Sequence, residues 1–186
     1  MKGSILLLTL LAGVMQVSDL SGQVQFPIDS TTHRITYTGI VEVKDRTAQQ
    51  LYQAAKVWFS TAFKSGEAVI DMDDNVGFKI IGKWVSEFTY KTMGIGQPGG
   101  LINFTITIAC KEGRFKYTIN NVVHSGFGNV PTFGPLEQEK WPKGTGDYWS
   151  LGNNLNRLKE QASMEALMAI KSLRSSMIAS PEADQW

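Results

Sequence analysis

Cysteine is nearly missing from this sequence. The single one, Cys110, cannot close an intrachain disulfide and cannot supply a cysteine zinc cluster. Histidine is almost as scarce, with only His33 and His124, so imidazole-based metal chemistry has little to work with. Charge of one sign is also lacking: 18 Lys and Arg stand against 17 Asp and Glu, a net +1. A dedicated nucleic-acid binder needs a strongly basic balance, and this chain does not have one. No apolar run reaches the ~20 residues that a membrane-spanning helix requires. What the chain does have is 42% hydrophobic and 19% charged residues, which excludes a disordered or acidic-tail protein. Its 186 residues are enough for one domain with a proper core, since a chain of this size buries about 70% of its unfolded surface.

The start of the chain has the pattern of an export signal. Met1-Lys2 is a short basic start, and Ile5 to Val17 is an apolar run carrying Leu6, Leu7, Leu8, Leu10 and Leu11. Small residues follow at Ser18, Ser21 and Gly22, and cleavage after Gly22 leaves Gln23 as the new N-terminus. Leu20 departs from the usual small residue at the −3 position, and the alternative is a buried N-terminal helix. No cysteine stands near the cleavage region to carry a lipid anchor. The expected organisation is a signal peptide over 1–22 and one domain over 23–180, with a loose tail over 181–186. A mature chain from Gln23 has no transmembrane segment, and its expected location is the periplasm or cell envelope.

Within the domain, Ile35 to Val43 alternates as a β-strand. Thr47-Ala48-Gln49-Gln50 is a capping box, and Leu51, Ala55, Trp58, Phe59, Ala62 and Phe63 then recur at helical spacing until Ser65-Gly66. Ala68, Ile70 and Met72 alternate, and Asp73-Asp74-Asn75 with Gly77 reads as a turn. Three longer strands follow. Phe78, Ile80, Trp84 and Phe88 line the apolar side of one; Ile102, Phe104, Ile106, Ile108 and Cys110 that of the next. After a tight turn at Glu112-Gly113, Phe115, Tyr117, Ile119 and Val123 oppose Lys116, Thr118, Asn120 and His124. One greasy side and one Thr-rich side per strand predict an antiparallel sheet covered on one face. Residues 125–149 form a long Gly/Pro/aromatic loop, and Leu151, Leu155, Leu158, Ala162, Ala166, Ile170, Leu173 and Met177 mark a C-terminal helix over 150–178, stopped by Pro181. The class is α+β, in the order β-α-β-β-β-β-α, with both helices on the same sheet face.

Several patterns suggest chemistry and fail on context. Gly94-Ile95-Gly96-Gln97-Pro98-Gly99 matches the dinucleotide fingerprint, but an alternating strand follows where a helix should open. Ile119 and Asn120 occupy the place of the ribose-binding acid, so the expectation is a flexible hairpin loop. Asp71-Met72-Asp73-Asp74-Asn75 has Val76 and Gly82 where a calcium loop needs Gly and Glu, which favours a solvated turn. Cys110 shares its face with Ile106 and Ile108 and reads as an inert core thiol. Glu42, Lys83, Glu87 and His124 fall on the polar sheet face and could form an acid–base site only if they converged. Asn103-Phe104-Thr105 is a glycosylation sequon in a suitable host. No residue is assigned as catalytic, cofactor-binding or metal-ligating, and no cofactor is implied.

Phe26-Pro27-Ile28-Asp29, Ile35-Thr36-Tyr37-Thr38-Gly39, Val41-Glu42-Val43 and Leu51-Tyr52-x-x-Ala55-x-x-Trp58-Phe59 resemble the exported bacterial proteins that carry a domain of unknown function with a TBP-like fold (TATA-box-binding-protein-like). The similarity spans about Phe26 to Ser125 and, weakly, the C-terminal helix. Thr32-His33-Arg34 stands where a glycine is expected before the first strand, so the turn there departs from the pattern. The resemblance implies a curved sheet with two helices on its convex side and a cell-envelope location. It implies no activity, and the fold name does not carry DNA binding with it.

The leading functional expectation is a non-enzymatic module that binds an envelope protein, a glycan or a small ligand. A hydrolase using carboxylates on the polar sheet face, and a lipid or small-ligand carrier between sheet and long helix, are the alternatives. Residues 125–149 hold five aromatics, and the candidate interaction residues are Phe127, Phe133, Glu137, Trp141, Tyr148 and Trp149, with Glu139, Lys140 and Lys143 completing a polar rim. The competing expectation is that these rings fold back as a lid on the core. If the export reading holds, intact-mass measurement of protein recovered from the envelope finds a chain beginning near Gln23; a full-length cytoplasmic product removes the compartment assignment.

Overall fold

The computed structural model describes residues 24–63, 69–92, 94–150 and 153–179. The apolar N-terminal stretch expected to be a signal peptide, Ser65-Gly66, Ala68, Leu151, Pro181 and the tail lie outside them. The described elements are β1 (Tyr37–Glu42), α1 (Ala48–Ala62), β2 (Val69–Asp74), β3 (Lys79–Thr92), β4 (Ile95–Lys111), β5 (Arg114–Ser125), β6 (Gly134–Pro135), α2 (Gly146–Ser150) and α3 (Asn154–Ile178). They form one antiparallel sheet in the order β1-β5-β4-β3-β2, with the two-residue β6 paired to β5 beyond the end of β1.

The sheet is one-sided, as the alternation predicts. Ile80, Trp84 and Phe88 of β3, Ile102 to Cys110 at every second position of β4, and Phe115, Tyr117 and Ile119 of β5 are all buried. Their neighbours Thr105, Thr107, Thr118 and Asn120 are partly exposed on the other face. Trp84 and Phe104 stack face to face at 4.4 Å across the β3–β4 ladder. α1 covers the middle of this surface with Leu51, Tyr52, Ala55, Trp58 and Phe59. A Cβ on Gly82 would lie 2.0 Å from the Phe59 ring, so the absence of a side chain there is what lets the helix sit down. α3 buries Leu158, Ala162, Ala166, Leu173 and Met177. Beside Met168, Ala169 and Ser172 it leaves an open cleft of about 380 Å³ against α1 and β3, lined also by Trp58, Phe63 and Trp84.

The start of α1 is held from two directions. Thr47 and Gln50 form the capping box, the Gln50 N–H donating to Thr47 Oγ1 at 3.2 Å and the Thr47 N–H to Gln50 Oε1 at 2.9 Å. Glu112, in the β4–β5 turn, accepts from the Ala48 N–H at 3.0 Å. The hairpin therefore positions the helix as well as the strands.

Four expectations change. Residues 94–99 are not a loop: β4 begins at Ile95, and the β3–β4 ladder runs from Thr92–Ile95 inward. A register shift between Phe88 and Thr89 absorbs the extra residue in β4 at the glycine pair, where Gly100 has φ 110°. In β2 a second shift between Ile70 and Met72 breaks the alternation, leaving both residues exposed at the sheet edge. Residues 125–149 contain β6 and most of α2, so they are structured rather than a bare loop. The C-terminal helix, expected over 150–178, begins at Asn154, preceded by the left-handed Asn153 at φ 64°, and Ser150 belongs to the separate α2.

One-sided burial has a direct consequence for stability. Phe104→Ala should lower unfolding free energy by about 3–5 kcal/mol, and Thr105→Ala by less than about 1 kcal/mol, in denaturant titrations. Equal losses would mean that the outer face is buried too.

Candidate functional site

The sheet end where β5 leaves β4 is closed by residues 126–150. Its geometry starts from Asn121, which lies at φ 53°, a left-handed conformation that Asn tolerates better than most residues. Two residues of β5, Asn121 and Val122, here oppose the single Phe104, since the ladder passes from Thr105–Asn120 to Asn103–Val123. The bulge moves Val122 and His124 to the core side. His124 is therefore not on the polar sheet face but fully buried, and Val123 is the partly exposed residue.

Buried there, the imidazole uses both nitrogens. Nδ1 accepts from the Phe133 backbone N–H at 3.1 Å, and Nε2 lies 2.8 Å from the Gly99 carbonyl. An N–H can only donate and a carbonyl can only accept, so the ring is neutral with its proton on Nε2. Burial holds its pKa below the ordinary histidine value, against the opposing pull of the Gly99 carbonyl. The close approach depends on Gly100, whose Cβ would fall 2.7 Å from Nε2 and 2.3 Å from the Ser125 carbonyl.

An aromatic cluster grows from this point. Trp149 meets His124 edge-on at 5.1 Å, Phe133 at 5.2 Å and Tyr148 at 4.8 Å; Tyr148 in turn meets Tyr90 of β3 at 5.7 Å. Phe133, Leu136 and Trp149 are at most 1% exposed. The Leu136 N–H donates to the Val122 carbonyl at 3.0 Å, and Asn154 Nδ2 donates to the Tyr148 carbonyl at 3.0 Å, tying the segment to β5 and to α3.

The six candidate interaction residues thus divide. Phe133 and Trp149 are core and cannot meet a partner; Tyr148 is half-buried, with burial pushing its hydroxyl up to about 12. Glu137 is mostly covered and faces Arg34 at 3.5 Å. Phe127 and Trp141 remain outside, 72% and 42% exposed. Trp141 is held in place by Gly146, where a Cβ would lie 2.5 Å from its Nε1. The structure forms a lid and leaves two rings on its outer surface. Leu136 and His124 are the core residues that the strand pattern missed; the Asn120-Asn121 pair in β5 was the signal for the bulge that turns His124 inward.

The other chemical candidates do not assemble. Glu42 is level with Arg114 and Lys111, whereas Glu87 is level with Leu101, ten residues further along β4 or about 33 Å away. His124 is on the opposite face from both. Asp71 pairs with Lys83 at 2.5 Å, Asp73 with Lys56 at 2.6 Å and with the Tyr52 hydroxyl, and Asp74 accepts the Val76 and Gly77 N–H groups of the turn. Burial pushes the Cys110 thiol up to about 12, which keeps it protonated and unreactive.

An open six-stranded antiparallel sheet with its long helices on one face defines an α+β protein of the TBP-like class. Residues 37–125, from the first residue of β1 to the last of β5, match the family described as "Domain of unknown function (DUF4468) with TBP-like fold", which bears out the resemblance carried by the sequence motifs. The chain is similar to a DUF4468 family protein from Bacteroides ovatus, with a TM-score of 0.64 at 13% identity over 82% of this chain and 91% of that one. It is also similar to a TBP-like protein from Parabacteroides distasonis, with a TM-score of 0.59 at 10% identity over 81% and 96% of the two chains. No curated protein matches it.

The state of His124 gives a pH dependence with a defined sign. The unfolded chain takes up a proton near pH 6.5, while the folded ring resists it, so this contribution to stability is complete above that pH and is lost as pH falls through the lower folded value. Melting followed from about pH 7 to about pH 5 should show the wild type losing stability relative to His124→Gln, at up to about 1.4 kcal/mol per pH unit. Parallel profiles for the two proteins would sink the assignment.

Proposed function

We propose that this chain is an exported cell-envelope module that binds a partner, a protein or glycan surface, through the outer side of its lid, and that it carries no catalytic site. The observation that supports the reading is the pair of exposed rings, Phe127 and Trp141, on a segment whose inner rings are locked in the core. Large exposed aromatics on a rigid base bind with little ordering cost, because the base does not need to freeze on contact. Glu139, Lys140 and Lys143 stand exposed beside Trp141 and supply the polar rim of such a contact. The apolar start of the sequence supports export, and the near-zero net charge supports a partner other than nucleic acid. The hydrolase reading is weaker, since its carboxylates are separated by most of the sheet. The carrier reading is weaker because the cleft between α1, α3 and β3 is open to solvent and has Glu87 and Glu165 in its lining as well as rings.

Two tryptophans test this together. Trp149→Ala should cost about 3–5 kcal/mol of stability as a core truncation. Trp141→Ala should leave melting within about 0.5 kcal/mol of wild type and abolish retention of envelope components on the immobilised protein. Retention that survives both Trp141→Ala and Phe127→Ala removes the lid as the binding surface.

A further inference from the structure

The outer side of α3 carries a surface that neither the core nor the lid accounts for. Glu160, Met164, Leu167, Lys171, Arg174 and Ile178 recur at intervals of four, three, four, three and four residues, so they form one continuous stripe. The stripe lies opposite the row Leu158, Ala162, Ala166, Leu173 and Met177 that packs on the sheet. Met164 and Leu167 are each 54% exposed and Ile178 is 52% exposed. Met168 beside them is 54% exposed as well. Isolated exposed apolar residues need no explanation, but four along one helix do.

Two open grooves flank the Leu167–Lys171 ridge. One, of about 370 Å³, is lined by Glu160, Met164 and Leu167; the other, of about 620 Å³, by Leu167, Arg174 and Ile178. The acidic residue of the stripe sits at its N-terminal end, and its bases sit toward its C-terminal end. Neither Glu160 nor Arg174 takes part in the ion pairs found among the described residues.

We propose that α3 pairs with α3 of a second copy of this chain, antiparallel, about a twofold axis at Leu167. Seven residues separate Leu167 from Glu160 and seven from Arg174. The axis therefore brings Leu167 onto its own copy, Met164 beside the copy's Lys171, and Glu160 onto the copy's Arg174 at both ends. The surface is self-complementary in shape and charge only in this sense: parallel pairing sets Glu160 on Glu160 and Arg174 on Arg174. The ridge of each copy then lies against the grooves of the other at the small crossing angle of side-by-side helices. From residue 160 to 178 the stripe is about 27 Å long, which places the contact at the small end of interface sizes and makes the dimer weak and concentration-dependent. This inference uses a different surface from the lid and stands or falls apart from it.

Sedimentation equilibrium of the purified protein over a concentration series tests it. A monomer–dimer equilibrium is expected. Glu160→Arg and Arg174→Glu should each weaken it by about tenfold or more, because each sets like charges face to face at both ends of the interface. The double variant, with the charges exchanged, should recover the wild-type constant, which a merely structural role for either residue would not produce. Glu160 and Arg174 are both exposed, so thermal melting should stay at the wild-type value in every variant. A protein that remains monomeric throughout overturns the proposal, leaving the stripe to the residues upstream of Val24, which lines the first groove, or to another protein. A dimer indifferent to both single substitutions overturns it as well.

Discussion

A sheet that keeps one face in water must gather all of its apolar side chains on the other, and that face must then be covered along its full length. Here the strands outrun the first helix. β3 has 14 residues and β4 has 17, about 46 and 56 Å of strand, whereas the 15 residues of α1 give about 22 Å of helix. α1 meets the middle of the sheet, with Phe59 seated at Gly82 and Phe63 against Trp84. The stretch around Phe88 and Ile102 lies beyond it. Phe133, Leu136 and Trp149 are the side chains that close this end, so the lid follows from strand length as much as from any functional demand.

Closing the sheet end with so short a strand creates a second requirement. β6 makes only two ladder pairs; after it the Leu136 N–H still reaches the Val122 carbonyl of β5, but the Phe133 N–H before it enters the core without a strand carbonyl to meet. Buried N–H and carbonyl groups must be satisfied, and each one left unpaired is costly. His124 meets this need at two places at once, receiving the Phe133 N–H and donating to the Gly99 carbonyl across the β4 bulge. A hydrocarbon side chain of similar size could fill the space but could not bridge the two backbones. The neutral imidazole thus links β4, β5 and the lid, and its only demand is the space that Gly100 leaves open.

Much of this architecture was legible in the sequence because it rests on periodicity. The alternation in β4 from Ile102 to Cys110, the capping box at Thr47 and the apolar row of α3 each state their geometry locally. Where a single residue was inserted, the same reasoning misplaced whole faces. At Asn121 one extra residue moved His124 from the polar list to the core, and at Ile70–Met72 another put two apolar residues of one row on opposite faces, Ile70 level with Gly82 and Met72 with Ile81. Alternation has no memory across a bulge, and a one-residue slip reverses every assignment beyond it. The lid was harder still, because 125–149 has no period. Its composition announced many rings in one segment, but only tertiary contact sorts Trp149 from Trp141.

That sorting bears on chemistry as well as on binding. A general base needs a free lone pair, and the one on His124 Nδ1 already holds a backbone N–H. A nucleophilic thiol needs a lowered pKa, and burial has moved Cys110 the other way. The carboxylates of the polar face are dispersed along the strands or paired with lysines of their own edge. Each reactive side chain inside the core is thereby committed to holding the fold. Three of the places where local sequence rules are broken, namely the left-handed Asn121, the bulge at Gly99-Gly100 and the left-handed Asn153, lie at the sheet end where the lid is set. Such departures concentrate where a fold is adapted to a task. What the lid set there carries on its outer side is two exposed aromatic rings, Phe127 and Trp141, the surface proposed above for recognition.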